Sequence, residues 1–206
     1  MTHHHEVDPF DEKAATWDDD PAKVERASVV AGCIAEAVPL DPSVRLLEYG
    51  AGTGLVTQAL RGAVGPATMA DTSTGMREVM QAKIAAGEIT DARVWALDLS
   101  TEPPPDERFD LVVTVLTLHH IADLDLVLGR FAELLEPGGH LCIADLDEED
   151  GSFHADGFAG HHGFDRGELA DRLRAAGFDD VRVTDCHHIV RDGVTYPMFL
   201  ATCTRP

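Results

Sequence analysis

A glycine-rich turn between an apolar run and a helical pattern is the feature that most restricts the fold of this chain. The apolar run 44–47 ends in the acidic Glu48, and three glycines then follow at alternate positions up to Gly54. From Leu55 onward, apolar residues recur at helical spacing. A strand, a tight turn and a helix in this order predict the first βα unit of a nucleotide-binding α/β sheet.

The spacing of the glycines narrows the choice of ligand for this turn. A dinucleotide fingerprint, G-x-G-x-x-G, requires its third glycine at the position that Leu55 holds here. A bound pyrophosphate needs free backbone N–H groups and no nearby carboxylate, whereas this strand ends in Glu48. A ligand with sulfonium and ammonium groups would tolerate or prefer that carboxylate. The turn therefore favours a cationic cofactor over a dinucleotide.

Strand-like and helix-like segments alternate along the first three quarters of the chain. Strands are predicted at 44–49, 67–70, 93–97, 109–116 and 140–146, and helices at 21–38, 53–62, 73–86 and 124–135. This alternation predicts a parallel sheet with helices on both faces. After a helix predicted at 166–176, the strands 178–188 and 196–204 follow each other without a helix between them, so we expect them to pair antiparallel.

The charge balance excludes some classes of partner. The 206 residues include 37 acidic and 16 basic side chains, a formal net charge of −21. This field repels polyphosphate and anionic lipid, so we expect neither a nucleic acid nor a membrane as partner, although the acidity could be only an adaptation for solubility or salt. The four cysteines form no C-x-x-C pair, and neither a signal peptide nor a membrane span is recognised. Together these features predict a cytoplasmic protein with reduced thiols.

Three segments carry a resemblance to a known family. Residues 48–54, EYGAGTG, resemble the first motif of the class I S-adenosylmethionine (SAM)-dependent methyltransferases, E/D-x-G-x-G-x-G. Residues 109–120 resemble the family's fourth motif, and residues 135–141 resemble its later helix stop and strand. The resemblance covers about residues 22–145. It implies a Rossmann-like, doubly wound seven-stranded sheet, mostly parallel, with a C-terminal antiparallel hairpin and the strand order 3-2-1-4-5-7-6.

The resemblance also implies SAM as cofactor and S-adenosylhomocysteine as product. Asp71, at the end of the second strand, would accept hydrogen bonds from both ribose hydroxyls, a feature that NAD enzymes share. Asp98 would accept from the adenine amino group, and the Leu99 N–H would donate to a ring nitrogen. Met76 packs on adenine in this interpretation or is simply a core methionine. The residues expected to contact the cofactor are Trp17, Glu48, Gly50, Ala51, Gly52, Gly54, Asp71, Thr72, Met76, Asp98, Leu99, Thr114, Val115, Leu116 and His119.

Two segments outside these motifs are expected to complete the site. We expect one domain over residues 1–206, with residues 1–21 as an N-terminal lid or extension and residues 147–164 as an acceptor-site loop. In this fold the segment before the first strand often lies over the cofactor. Trp17 would then close on the cofactor or the acceptor, or it would anchor the first helix to the core.

A general base is needed only when the methyl acceptor must lose a proton, and histidine can act as one near neutral pH. The predicted bases are His120 and His161, and His119, His154 and His162 are further candidates. No metal is expected, because no fixed ligand spacing is present. The alternative is a metal site, with ligands from His154, His161 and His162 together with Asp145, Asp147 or Asp156.

The predicted function is methyl transfer from SAM to a small molecule by in-line displacement, since no added recognition domain is visible for a protein or RNA. One alternative is a SAM-fold binding protein without turnover, and another is an NAD(P)-dependent oxidoreductase. Leu55 and the antiparallel tail count against the oxidoreductase. The acceptor atom and the oligomeric state are not encoded in any motif.

Overall fold

The computed structural model describes residues 9–155 and 157–206. Its strands are β1 (Leu46–Tyr49), β2 (Ala67–Ala70), β3 (Ala92–Trp95), β4 (Phe109–Val115), β5 (Leu135–Leu146), β6 (Asp179–Arg191) and β7 (Val194–Thr204). They form one sheet in the order β3-β2-β1-β4-β5-β7-β6, which confirms the predicted fold class and strand order. Part of the predicted lid, residues 1–8, and the metal-ligand candidate Asp156 lie outside the described residues.

Helices cover both faces of this sheet. They are α1 (Pro9–Lys13), α2 (Pro21–Ala37), α3 (Leu55–Ala59), α4 (Thr74–Ala85), α5 (Leu124–Leu134) and α6 (Arg166–Ala175), and two short 3₁₀ helices span Ala14–Asp19 and Leu118–His120. Side chains of α5 and α6 pack on one face and those of α2 and α3 on the other. All four residues of β1 are buried, as expected of a strand covered on both faces.

The hairpin at the C-terminal edge is set by its turn. β5 and β7 pair antiparallel, as do β6 and β7. The two residues between β6 and β7, Asp192 and Gly193, both have positive φ angles, of 51° and 79°. Such a turn matches the twist of antiparallel strands, and Asp-Gly is one of the sequences that favour it.

Several predicted boundaries were wrong. α3 begins at Leu55 rather than at residue 53, because Gly54 holds a left-handed conformation at its N-cap. β5 begins at Leu135 rather than at residue 140. The extension is stabilised by the C-terminal segment, where the Gly138 N–H donates to the Arg205 carbonyl and the Arg205 N–H donates to the Gly139 carbonyl.

Within the described residues, no helix combines the length and the apolar character that crossing a lipid bilayer requires.

Candidate active site

A cavity of about 900 Å³ opens beside the carboxyl ends of β1, β2 and β4. Open α/β sheets bind their ligands at this edge, at the point where the strand order reverses. The connections from the two neighbouring strands lead there to opposite faces of the sheet. Such a volume lies near the upper end of the roughly 300–1,000 Å³ of ligand pockets, so it can hold two small molecules side by side. Of the predicted site residues, the cavity is lined by Trp17, Glu48, Gly50, Ala51, Gly52, Asp71, Thr72, Met76, Asp98, Val115, Leu116, His119 and His120.

Four predicted site residues lie away from the cavity lining. They are Gly54, Leu99, Thr114 and His161. Gly54 packs towards the core, since a Cβ there would lie 2.8 Å from the Met69 sulfur. Thr114 is buried in β4, and its hydroxyl has no hydrogen-bond partner among the described residues.

The glycine turn leaves room for a ligand at one position. Gly50, Gly52 and Gly54 all have positive φ, which glycine adopts without steric cost. A Cβ on Gly50 would lie 2.2 Å from the Thr117 Oγ1, so the chain itself fills that space. A Cβ on Gly52 would meet no atom within 4 Å, and Gly52 lines the cavity. The space beside Gly52 is therefore open to a bound molecule.

Asp71 connects the glycine turn to the start of α4. Its Oδ2 accepts from the Gly52 N–H at 2.8 Å, and its Oδ1 accepts from the Ser73 N–H at 2.9 Å. A carboxylate has about four acceptor positions, so both oxygens can accept further hydrogen bonds from ligand hydroxyls. Asp71 thus shapes the turn and lines the cavity at once.

Asp98 lines the cavity, whereas the Leu99 N–H has a partner other than the expected one. The Asp98 carboxylate accepts from the Ser100 N–H at 2.8 Å and from the Thr101 hydroxyl at 2.9 Å. The Leu99 N–H, expected to face adenine, instead donates to the Tyr49 hydroxyl at 3.0 Å. The Tyr49 hydroxyl thus satisfies the Leu99 N–H within the protein.

Glu48 is a buried acid on the floor of the cavity. It accepts from the Thr57 N–H at 2.9 Å and from the Thr57 hydroxyl at 2.5 Å. Burial raises the pKa of Glu48 to about 7, and the nearby Asp71 adds to the rise, although the bonds from Thr57 and the charge of Lys83 oppose it. A cation bound next to Glu48 would favour its ionised form.

We expect Glu48→Gln to remove a pH dependence of stability. The folded carboxyl, with its pKa raised above the usual 4.5 to about 7, binds a proton more tightly than the unfolded one. The wild type should therefore lose free energy of unfolding, relative to the variant, as the pH rises from about 4.5 to about 7, with no further loss above. Urea unfolding at pH 5 and pH 8 measures this difference. The exposed Glu133→Gln is the control, and equal differences at both pH values for Glu48→Gln would refute the assignment.

Residues 9–20, which we call the N-terminal segment, are docked against the glycine turn and α4 by two aspartates. Asp11 accepts from the Ser73 hydroxyl and from the Gly75 N–H, at 2.6 and 2.9 Å. Asp18 accepts from the Thr53 hydroxyl and forms an ion pair with the buried Lys83, both at 2.5 Å. Sequence reasoning missed both aspartates, because each lies in an acidic stretch that resembles a solvated surface.

Trp17 has features of both predicted roles, that of a lid residue and that of an anchor for the first helix. It lines the cavity, as a lid residue would, and it also packs within the N-terminal segment. Its ring lies edge-on to Phe10 at 6.1 Å, and the Lys23 Nζ stands 3.9 Å from its ring centre. The indole therefore joins the segment to α2 while one side of it faces the cavity.

Arg26 is a half-buried cation on the cavity wall. Among the described residues, no carboxylate lies within ion-pair distance of its guanidinium and no hydrogen bond to it is formed. Its pKa is lowered, chiefly because burial removes water from the charge, while Asp20 opposes the shift. A guanidinium in this state is suited to bind a carboxylate of a ligand.

Three histidines meet at the other end of the cavity. His119 and His120 lie on the 3₁₀ helix after β4, and His154 lies on the loop after β5. Their candidate metal-binding nitrogens are all within 4.8 Å of one another. His154 stacks on Phe158 with ring centres 3.7 Å apart. We call His119, His120 and His154 the histidine cluster.

His119 is held by a buried carboxylate. Its Nδ1 lies 2.6 Å from Oδ1 of Asp145, and both side chains are almost completely buried. A carboxylate oxygen can only accept, so Nδ1 carries the proton and Nε2 keeps a free lone pair. Asp145 lies near the carboxyl end of β5, which pairs with β4. The 3₁₀ helix that contains His119 follows β4, so the two side chains lie close together. This arrangement orients the ring and leaves Nε2 as the nitrogen that is available to a proton or a ligand.

The other two rings of the cluster are neutral near neutral pH. Loss of water around the ring lowers the pKa of His120 to about 4, with His119 and His154 adding to the effect. Loss of water likewise lowers the pKa of His154 to about 4, although Glu149 opposes the shift. A base with so low a pKa takes up a proton poorly near neutral pH. The role of His120 as a base stays a prediction.

His161 and His162 do not join the histidine cluster. The ring Nε2 of His161 lies 2.9 Å from the Ile121 carbonyl, so that nitrogen carries a proton and donates. The backbone N–H of His161 donates to the His119 carbonyl at 2.7 Å, which fixes the loop against the 3₁₀ helix. His162 is exposed and lies 3.3 Å from Glu149. His161 therefore has the surroundings of a positioning residue.

A family sequence model described as a methyltransferase domain matches residues 11–183 of this chain. The biotin biosynthesis bifunctional protein BioCD of Bordetella avium is 37% identical over 117 residues, which are 56% of this chain and 24% of that protein. The 27-O-demethylrifamycin SV methyltransferase of Amycolatopsis mediterranei is 33% identical over 135 residues, which are 63% of this chain and 49% of that protein. This chain thus spans about a quarter and about half of the length of these two relatives.

Solved structures carry the same fold. The Haloferax volcanii chain that was solved in complex with the Trm112 methyltransferase activator superposes with a TM-score of 0.76 at 19% identity. The match covers 97% of this chain and 98% of that one. The shared fold therefore includes both the parallel wing and the antiparallel hairpin.

Proposed function

Because this chain belongs to the methyltransferase domain family, among the class I SAM-dependent methyltransferases, we propose that it transfers a methyl group from SAM to a small-molecule acceptor. The observation that carries the proposal is a single cavity with a glycine-turn end suited to SAM and a histidine end suited to an acceptor. When bound, SAM supplies a methyl group already activated by its sulfonium. The chain must then bind SAM and the acceptor, orient them for the transfer and exclude water.

The donors and acceptors of the glycine-turn end fit SAM. Asp71 would accept from the ribose hydroxyls, and Met76 would pack on the adenine. The space beside Gly52 is open to the amino-acid portion, and Glu48, which lines the same cavity, would hold the ammonium. The half-buried Arg26 would hold the carboxylate. A pyrophosphate at the same place would meet the Glu48 carboxyl, which disfavours a dinucleotide.

The acceptor lies between the histidine cluster and the N-terminal segment. Phe10, Phe153 and Phe158 line this end of the cavity, so it suits a molecule with an apolar or aromatic body. The loop 147–164 supplies two of these rings as well as His154, in keeping with its predicted role as the acceptor-site loop. The N-terminal segment, docked through Asp11 and Asp18, closes the cavity from above and excludes water from the transfer.

The proton of an acceptor hydroxyl or thiol is handled at the histidine cluster. His119 is the best base of the three in a metal-free site, because Asp145 fixes its tautomer and stabilises the charge that it gains. His120 borders the same space and completes the wall around the acceptor. His161 positions the loop through the His119 and Ile121 carbonyls.

The proposed location is the cytoplasm. The cysteines Cys33, Cys142, Cys186 and Cys203 are free. Burial raises the pKa of Cys203 to about 12 and keeps this thiol protonated and unreactive. Free thiols, of which Cys142 and Cys203 are buried and the other two are half-buried, are typical of a reducing compartment.

Calorimetric titration with SAM, S-adenosylhomocysteine and NADH tests the cofactor. We expect micromolar binding of the first two and none of NADH. Transfer of an isotopically labelled methyl group is then measured with panels of small phenols, thiols and amines. NADH binding in place of SAM would overturn the proposal, and SAM binding with no transfer to any panel would favour a binding protein without turnover.

A further inference from the structure

We propose that the histidine cluster binds one divalent transition-metal ion of the zinc class, with an open coordination position that faces the acceptor. The three ligands are His119, His120 and His154, and Asp145 acts as the carboxylate behind one of them. The inference deepens the proposed function, on which it rests, because it assigns to the metal the activation of the acceptor.

The geometry of the histidine cluster suits a metal better than it suits three separate imidazoles. Ligand nitrogens in a tetrahedral zinc site, each about 2.0–2.1 Å from the ion, lie about 3.3 Å apart. The nitrogens here lie within 4.8 Å of one another, so closing the site requires shifts of about 1.5 Å or less. His120 and His154 stand on a turn and a loop, where a side-chain rotation supplies such a shift.

The hydrogen bonding of the three rings also favours a metal ion at the histidine cluster. Asp145 occupies Nδ1 of His119 and leaves Nε2 as the free nitrogen. A metal-bound histidine characteristically donates its other nitrogen to a carboxylate in this manner. The Nδ1 of His154 is buried without a hydrogen-bond partner among the described residues. A buried polar atom without a partner is costly, so its presence beside two further imidazoles indicates a missing ligand.

The chemistry of the ligand set limits the metal and the acceptor. Three imidazoles suit zinc, copper, iron or nickel rather than magnesium or calcium. Three protein ligands also leave a fourth position, as in catalytic zinc sites. An acceptor hydroxyl or thiol that binds there loses its proton to solvent. Its lone pair then forms the new bond to the methyl carbon, while the carbon–sulfur bond of the sulfonium breaks and its electron pair stays on sulfur.

The sequence itself sets one condition on the test. His3, His4 and His5 precede the described residues and can bind divalent metals as a group. The full-length chain is therefore used with all three replaced by alanine and is stripped of metal with a chelator. Zn²⁺ is titrated calorimetrically, and Co²⁺ is added in parallel because its visible spectrum reports tetrahedral coordination. SAM is titrated into each protein as the measure of the proposed function.

We expect one Zn²⁺ per chain with a dissociation constant below about 1 μM, and an intense tetrahedral Co²⁺ spectrum. His154→Ala and His120→Ala should each weaken Zn²⁺ binding at least about tenfold while SAM affinity stays within about twofold. His188→Ala, which removes an exposed histidine of β6, is the matched control and should change neither.

Two results would overturn the inference. One is the absence of stoichiometric Zn²⁺ binding in a chain that binds SAM normally, which would leave His119 as an imidazole base. The other is weak binding that His188→Ala reduces as much as His154→Ala does. Loss of SAM binding in the parent chain would instead mean that the proposed function fails, whatever the metal does.

Discussion

Replacing Asp71 by alanine is expected to weaken SAM binding at least about 100-fold. The carboxylate is assigned two charge-assisted hydrogen bonds to the ribose, each worth about 1.5–3 kcal/mol, and a factor of ten in affinity corresponds to about 1.4 kcal/mol. The same change releases the Gly52 N–H from Oδ2, so the glycine turn also loses a bond that shapes it. Calorimetric titration of SAM into the wild type and the variant measures the effect.

Two controls separate ribose binding from damage to the turn. Asp71→Asn keeps one carbonyl oxygen as acceptor and should bind SAM with an affinity between those of wild type and alanine variant. Asp179→Ala, at the exposed start of β6, should bind SAM as the wild type does. Wild-type affinity in Asp71→Ala would remove Asp71 from the cofactor site, and thermal unfolding shows whether the variant remains folded.

The glycine-turn end of the site could be predicted from sequence because its residues follow strands at fixed places. Each parallel strand ends at the same edge of the sheet, so Glu48, Asp71 and Asp98 had to converge once the strand order was known. Local spacing was sufficient here, since a residue at a strand end has little freedom. The side chains could still form unexpected bonds, as Tyr49 does with the Leu99 N–H.

The histidine end was harder to predict because loops build it. His154 lies on a loop of about twenty residues, and no periodicity fixes where such a residue lies. The sequence pattern therefore grouped His154 with His161 and His162, its neighbours in the chain, whereas the structure groups it with His119 and His120. One signal was available. β4 and β5 are adjacent in the predicted order, so His119 and Asp145, near their carboxyl ends, could have been paired.

Replacing Asp145 by alanine is expected to lower the free energy of unfolding by about 3–5 kcal/mol. Its Oδ1 accepts from His119 at 2.6 Å and from the Leu146 N–H at 2.8 Å, and the carboxylate is completely buried. The alanine variant leaves both donors buried without a partner, and each such group costs about 1–3 kcal/mol, so two of them account for a loss of this size. For a chain of this size the melting temperature should fall by roughly 6–20 °C.

The matched control is Asp125→Ala, which removes a carboxylate that also binds a basic side chain at 2.7 Å. Its partner is Arg172, and the two side chains are 68% and 47% exposed. An ion pair so accessible to water contributes only about 0–1 kcal/mol, so this variant should melt within a few degrees of the wild type. If the two alanine variants melt alike, His119 is not held as described, and its assignment as base or metal ligand loses its physical support.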